Sequence, residues 1–233
     1  MREVLGDGYF GVARRRLFNV YSRIPRIYWS QTGEDILLLP WLSEGEGRYV
    51  DVGAGHPRLA SNTFGLYKRG WRGVLVEPNP QSARYLAQVR KGDQVVVAAI
   101  GLENGKTTLH VFDQDFYSSI SSQQVAKLCD SGLRPNQEIE VEIVPLSSLG
   151  LVANPFEPTL LSVDCEGTDL EVLCSNDWDT YRPRVVLVEE SFRTIEDPTP
   201  IRQFLNEQGY ALLGHTGATA MYVSSIFIDG EPV

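Results

Sequence analysis

Short continuous apolar runs alternate with stretches of helical spacing along much of the chain. The clearest runs cover residues 49–52, 73–77, 95–100, 160–164 and 185–189. They are rich in Val and Leu and show little period-two alternation, the pattern of strands buried on both faces. Between them, residues 80–90 predict a helix, with Ala83, Leu86, Ala87 and Arg90 at helical spacing. A second helix is expected from Thr168, where Thr168 and Glu171 have capping-box spacing and Leu170, Val172 and Leu173 supply an apolar face. A third covers 201–208 and stops at Gly209. Strand and helix in alternation predict β-α units around a parallel sheet. The tail differs. Residues 210–213 and 221–228 read as two strands around a 214–217 turn, an antiparallel hairpin closing the sheet. Residues 106–149, with a strand-like 138–144, interrupt the alternation and are expected to fold over one edge.

Composition narrows the class. With 233 residues, 42% hydrophobic and 22% charged, the chain suits one decorated globular domain and excludes a disordered or disulfide-stapled protein. The net charge of -9 argues against sequence-independent nucleic-acid binding, which depends on neutralising phosphates. The charge is uneven: the first 30 residues hold six arginines and two acids, which leaves a balance of -13 for the rest. Arg14, Arg15 and Arg16 read as the solvated face of a helix, with peripheral contact to an anionic membrane surface or acidic glycan as the alternative. No stretch approaches the ~20 apolar residues of a transmembrane segment, and arginines interrupt any secretory-type apolar core. Cys129, Cys165 and Cys174 are odd in number and lack metal-like spacing, so a reducing, cytoplasmic setting is expected.

The chemistry should lie where parallel strands end, since open α/β sheets bind ligands at that edge. Asp51, Glu77, Asp164 and Glu189 stand at or beside four such ends. Any one of them can cap a following helix; four together form an acidic crevice suited to a cation, a hydroxyl-rich ligand or a metal. Asp51-Val52-Gly53-Ala54-Gly55 has the form acid-x-Gly-x-Gly directly after a strand. Its glycines let the backbone turn tightly and lie against a ligand. Arg58 holds the place of the third glycine of a dinucleotide fingerprint, which weighs against an NAD-type oxidoreductase. Glu77 lies where such folds commonly hold ribose hydroxyls, so the pair points to an adenosine-containing ligand. His56 is expected near the ligand or acceptor, His110 on a strand, and His215 in a surface turn. Trp71 reads as a packing aromatic, and the polar stretch 113–122, with Phe116 and Tyr117, as a lid that contacts the acceptor.

Several of these residues belong to a longer pattern. Ser30-Gln31-Thr32-Gly33-Glu34-Asp35, Tyr49-Val50-Asp51-Val52-Gly53-Ala54-Gly55-His56-Pro57, Ser61-Asn62-Thr63 and Arg69-Gly70-Trp71-Arg72-Gly73 open it. Glu77-Pro78-Asn79-Pro80 and Ala99-Ile100-Gly101 follow. It resumes with Ser162-Val163-Asp164-Cys165-Glu166-Gly167-Thr168-Asp169-Leu170-Glu171-Val172-Leu173, then Ser175-Asn176-Asp177-Trp178 and Tyr181-Arg182-Pro183. In this order the motifs resemble the FkbM-like family of S-adenosylmethionine-dependent methyltransferases. The resemblance implies a Rossmann-like class I methyltransferase fold, a mostly parallel seven-stranded sheet with an antiparallel last strand. It implies a single methyltransferase domain over 30–233 with an insertion around 102–158, behind a basic extension over 1–29. It also implies a cofactor loop of Asp51, Gly53, Ala54 and Gly55, with His56 beside it and Glu77 and Pro78 at the ribose. Gln31, Asn62 and Thr63 would reach the methionine end, Ala99 and Ile100 would border the adenine, and Asp164 would lie beside the methyl group.

On that reading the enzyme methylates a hydroxyl, most simply of a sugar on a glycan or glycosylated small molecule. Asp164 is then the candidate base, supported by Glu166 and Glu189. The same three carboxylates are hard oxygen ligands, so a divalent metal such as Mg²⁺ or Mn²⁺ is the competing use. A second class of function, a non-catalytic cofactor-binding partner in a glycan assembly complex, has the same sequence features.

Overall fold

The computed structural model describes residues 28–42, 46–112, 118–154, 156–190 and 199–228; the basic leader and the stretch 113–117, with Phe116 and Tyr117, lie outside them. The apolar runs form β1 (Arg48–Val52), β2 (Arg72–Val76), β8 (Thr159–Val163) and β9 (Val185–Glu189), and each pairs in parallel with its neighbour. Successive side chains serve opposite faces. Leu160, Val185 and Leu187 pack on one side with Trp71 and Leu75, while Leu161, Val186 and Val188 pack on the other with Val172 and Leu205. That double burial is why the runs lack polar alternation. Trp71, 2% exposed, is a packing aromatic as its sequence setting predicts.

The main sheet has seven strands in the order β10-β11-β9-β8-β1-β2-β3, where β3 is Gln94–Val96, β10 is Tyr210–Thr216 and β11 is Thr219–Ser224. β11 runs antiparallel to both its neighbours, so the sheet is parallel except for its last strand. This is the Rossmann-like α/β arrangement. From β1 the chain winds outward to β2 and β3 on one side, and later to β8 and β9 on the other. The carboxyl ends of β1 and β8 therefore flank the switch point where such sheets open a crevice. Helices α1 (Glu34–Leu37), α2 (Phe64–Lys68), α3 (Pro80–Val89), α4 (Ser122–Asp130), α5 (Asp169–Cys174), α6 (Pro200–Glu207) and α7 (Ser225–Ile228) complete the elements. No helix among the described residues is long and apolar enough to cross a membrane.

Four expectations need correction. The run 95–100 is two strands in two sheets: β3 ends at Val96, and β4 (Ala99–Ile100) pairs instead with β7 (Pro135–Val144). β2 stops at Val76, so nothing remains to pair beyond Val96, and Val97 between the two strands is 52% exposed. In the tail, Gly214 pairs with Met221 just after a bulge at Leu213 rather than opening the turn; the hairpin continues to Gly217, whose φ of 55° supplies the left-handed turn position, and Ser225–Ile228 is helical. The capping box does not form at Thr168. Asp169 turns its carboxylate back to accept from the amides of Cys165 (2.9 Å) and Gly167 (3.1 Å).

The stretch after β4 builds a second sheet in the order β4-β7-β5-β6, with β5 Gly105–Phe112 and β6 Ser118–Ser119. Ala99, Leu109 and Val141 form its small apolar core. His110 lies on β5, with Nδ1 3.3 Å from a Glu138 carboxylate oxygen across the ladder. His215 is an exposed residue of β10 rather than part of the turn.

Candidate active site

Where β1 ends, the backbone folds into a tight turn against two neighbouring strands. The amides of Gly53 and Ala54 both donate to the carbonyl of Val76 (3.0 and 3.1 Å), and the amide of Asp164 donates to the carbonyl of Val52 (3.0 Å). Gly53 has φ 79°, and a Cβ there would sit 1.8 Å from the carbonyl oxygen of Asp164. Only glycine fits both the conformation and the contact. Gly55, φ 52°, points its amide at Glu77 Oε2 (2.8 Å), while Glu77 Oε1 accepts from the amide of Asn79 (2.8 Å). Asn79 in turn caps α3 through the amide of Gln81. One carboxylate thus ties the glycine turn to the start of a helix. Burial pushes the Glu77 carboxyl up from its ordinary value, and its two amide donors oppose that shift.

Around this turn lies a cleft lined by the ends of β1, β2 and β8 and by residues 98–100. Beside the turn, at the end of the adjacent β8, Asp164 lines the same cleft and stands among acids. Burial, then the charges of Glu189, Glu166 and Asp169, push its carboxyl well above the usual range. Glu189, at the end of β9, is pushed up to about 7, by burial first and then by Asp169 and Glu166, against the pull of Lys127. Between them the chain turns at Glu166, a non-glycine residue at φ 51°. Ser119 Oγ donates to the Glu166 carbonyl (3.1 Å), and Gln124 Nε2 donates to its carboxylate (3.1 Å). So β6 and α4, both from the inserted stretch, hold the turn in an otherwise unfavourable conformation. A second cleft opens beyond it, lined among others by Gln124, Lys127, Leu170, Glu189, Thr199 and Ile201.

The fold brings most of the predicted residues to the first cleft. Gln31, Gly53, Ala54, Gly55, His56, Glu77 and Pro78 line it, and so do Ala99, Ile100, Asp164 and Glu166. Glu189 lines the second cleft instead. Asp51, Asn62 and Thr63 are buried and line neither. Asp51 accepts a 2.6 Å hydrogen bond from Thr63 Oγ1, and Asn62 Nδ2 donates to Ser162 Oγ (3.2 Å). His56 uses Nδ1 to accept from the amides of Arg58 and Leu59, which rounds the loop after Gly55. Leu109, Ser118 and Ile120 of the inserted stretch also line the first cleft. Motif reading misses them because they belong to no motif, although Ser118 and Ile120 fall within the polar stretch 113–122 expected to meet the acceptor. Among the described residues, no group of three or more His, Cys, Asp or Glu side chains is arranged to hold a metal ion.

Two solved structures show what the chain is similar to. One is a TehB-like SAM-dependent methyltransferase from Corynebacterium glutamicum, 12% identical, with a TM-score of 0.41 over 93% of this chain and 98% of that one. The other is precorrin-6y C5,15-methyltransferase from Geobacter metallireducens, also 12% identical with a TM-score of 0.41, covering 86% of this chain and 91% of that one. No curated protein matches. The family assignment rests on the chain itself: residues 51–212, more than half of its length, match the Methyltransferase FkbM domain, and the protein belongs to that methyltransferase family.

Proposed function

We propose that the protein is an S-adenosylmethionine-dependent O-methyltransferase that acts on a sugar hydroxyl of a glycan or glycosylated small molecule. One observation carries the reading: the glycine turn and the crowded carboxyl of Asp164 line a single cleft. The residues present fit the cofactor. Gly53 and Gly55 leave the backbone bare, Glu77 offers a buried carboxylate for ribose hydroxyls, and Ala99 and Ile100 offer an apolar wall for a purine. Surplus carboxylates suit a sulfonium cation.

When bound, the cofactor supplies an electrophilic methyl group on sulfur. The chain's part is to place the acceptor hydroxyl in line and to take its proton as the new C–O bond forms. Asp164 does the latter. A carboxylate raised toward neutrality by burial and like charges is better matched to that proton than an ordinary one. Glu166 and Glu189 sustain the raised value, and neither needs a metal partner. The second cleft mixes amide, ammonium, hydroxyl and carboxylate groups with Leu170 and Ile201, a lining that suits the polar rim and apolar face of a sugar ring. Cys129, Cys165 and Cys174 are unpaired thiols, in keeping with a cytoplasmic setting.

Calorimetry with S-adenosylhomocysteine, followed by transfer of labelled methyl to a panel of sugars and glycosides, tests the proposal. Micromolar binding and methyl ether formation are expected. Absence of binding overturns the cofactor assignment, and binding without transfer to any acceptor favours the non-catalytic partner.

A further inference from the structure

Arg90 follows the last residue of α3, and its side chain is fully buried, as is that of Asp93. Burying a guanidinium is costly unless its hydrogen bonds are met, so its partners are informative. Nε donates to Asp93 Oδ2 (2.8 Å), Nη2 to the hydroxyls of Tyr49 (2.7 Å) and Thr63 (3.1 Å), and Nη1 to the carbonyl of Pro57 (3.4 Å). The group also lies over the rings of Tyr67 (4.6 Å), Tyr49 (5.5 Å) and Phe64 (5.6 Å). Neutralising the charge requires Asp93 alone. The remaining donors reach Tyr49 on β1 and Pro57 and Thr63 of the loop that leaves it.

Their direction is fixed by chemistry. A guanidinium can only donate. Thr63 Oγ1 must therefore accept from Arg90 and aim its own hydrogen at Asp51 Oδ2, 2.6 Å away. Tyr49 likewise accepts from Arg90 and donates to Asp93 (2.7 Å). Asp51 stands immediately before the glycine turn; Pro57 and Thr63 lie after it. Arg90 thus grips the loop at its far side directly and at its near side through one hydroxyl. It touches neither Gly53 nor Gly55, and it does not line the cleft.

We propose that Arg90 is a positioning residue for the cofactor site, which sets the shape of residues 53–63 through Pro57 and the Thr63–Asp51 relay. The proposal rests on the reading of the first cleft as a cofactor site. A lysine would keep the charge beside Asp93 but lacks the fork that reaches Tyr49, Thr63 and Pro57 together.

The test uses the full chain carrying R90K, T63V or T63S. Thr63→Val keeps volume and removes the hydroxyl, so it holds the question open to measurement even where R90K does not fold. Each variant is compared with wild type by thermal unfolding, S-adenosylhomocysteine calorimetry, methyl-transfer kinetics and amide hydrogen exchange. T63V and R90K are expected to weaken cofactor-product binding by about tenfold, the scale of one lost charge-assisted hydrogen bond. The same change should appear in KM for S-adenosylmethionine, with kcat little altered, and T63S should restore it. Amide exchange at Gly53, Ala54 and Gly55 should quicken in T63V with no ligand present, while strands β8 and β9 stay as protected as in wild type. Unchanged affinity and unchanged exchange at the turn, alongside a lowered melting temperature, would overturn the proposal and leave Arg90 a core ion pair. Failure of wild type to bind the ligand overturns the cofactor reading instead, and the exchange data still decide whether Arg90 shapes the turn.

Discussion

The carboxylates at the four strand ends fall into two pairs that share burial and differ in company. Asp51 and Glu77, at β1 and β2, meet donors: a threonine hydroxyl for the first, two backbone amides for the second. Asp164 and Glu189, at β8 and β9, both meet the charges of Glu166 and Asp169, and Asp164 meets that of Glu189 as well. Burial raises all four carboxyls. Donors return the first pair toward the ionised form, while like charges drive the second pair further from it. The same sequence signature, an acid ending an apolar run, therefore yields hydrogen-bonded struts at one pair of strands and carboxyls crowded by like charge at the other. Counting acids at strand ends finds both pairs; only their neighbours separate them.

The sharpest way to break this division is at the residue that joins the halves. Gly53→Ala places a Cβ against the Asp164 carbonyl and adds the roughly 1–2 kcal/mol of a left-handed non-glycine residue. S-adenosylhomocysteine binding measured by calorimetry should be lost, and the melting temperature should fall. Next in size, Asp164→Asn should lower kcat by about 10²–10⁴-fold, the usual range for a general base, while the Kd for S-adenosylhomocysteine changes little. Activity near the wild-type rate in that variant removes the base from the mechanism.

The smallest effect concerns pH. Glu189 has its carboxyl raised from 4.5 to about 7 in the fold. The folded protein then binds more protons than the unfolded chain between those values, so stability is greatest below the lower one and falls as pH rises through about 7. Melting temperatures from pH 5 to pH 8 should show that decline, and Glu189→Gln should flatten it and gain a few degrees at pH 8. The charge of Glu189 also helps raise Asp164, so the acid limb of the kcat profile should move to lower pH in the same variant. An unmoved limb would mean that the two carboxylates do not interact.

Much of the fold was legible because strands buried on both faces leave uninterrupted apolar runs. The glycine turn was legible because Gly53 has no room for a Cβ and both Gly53 and Gly55 take left-handed backbone conformations, which writes two glycines into the chain. Other features left no such mark. The run 95–100 is equally apolar whether it serves one sheet or two, and its break depends on where β2 ends. Thr168 and Glu171 have the spacing of a capping box, yet Thr168 makes no side-chain cap, and it is Asp169 that binds the turn, at the amides of Cys165 and Gly167. Arg90 reads as one more position on a helix, since its partners Pro57, Thr63 and Tyr49 are far away in sequence. Leu109, Ser118 and Ile120 reach the cleft only through pairing of the second sheet.

That pairing has a consequence for modularity. Ala99 and Ile100 leave the main sheet to pair with Ile143 and Val144, so the wall expected to face the adenine is a strand of the inserted sheet. The inserted stretch also supplies the two groups that hold the Glu166 turn. Excising it to reach a minimal catalytic unit would leave Ala99 and Ile100 without their partner strand, remove Leu109, Ser118 and Ile120 from the cleft and release the turn beside Asp164. Exchanging it for another of different shape would recut both clefts together. On the proposed function, chimaeras made at its borders would alter acceptor preference and cofactor fit as a linked trait.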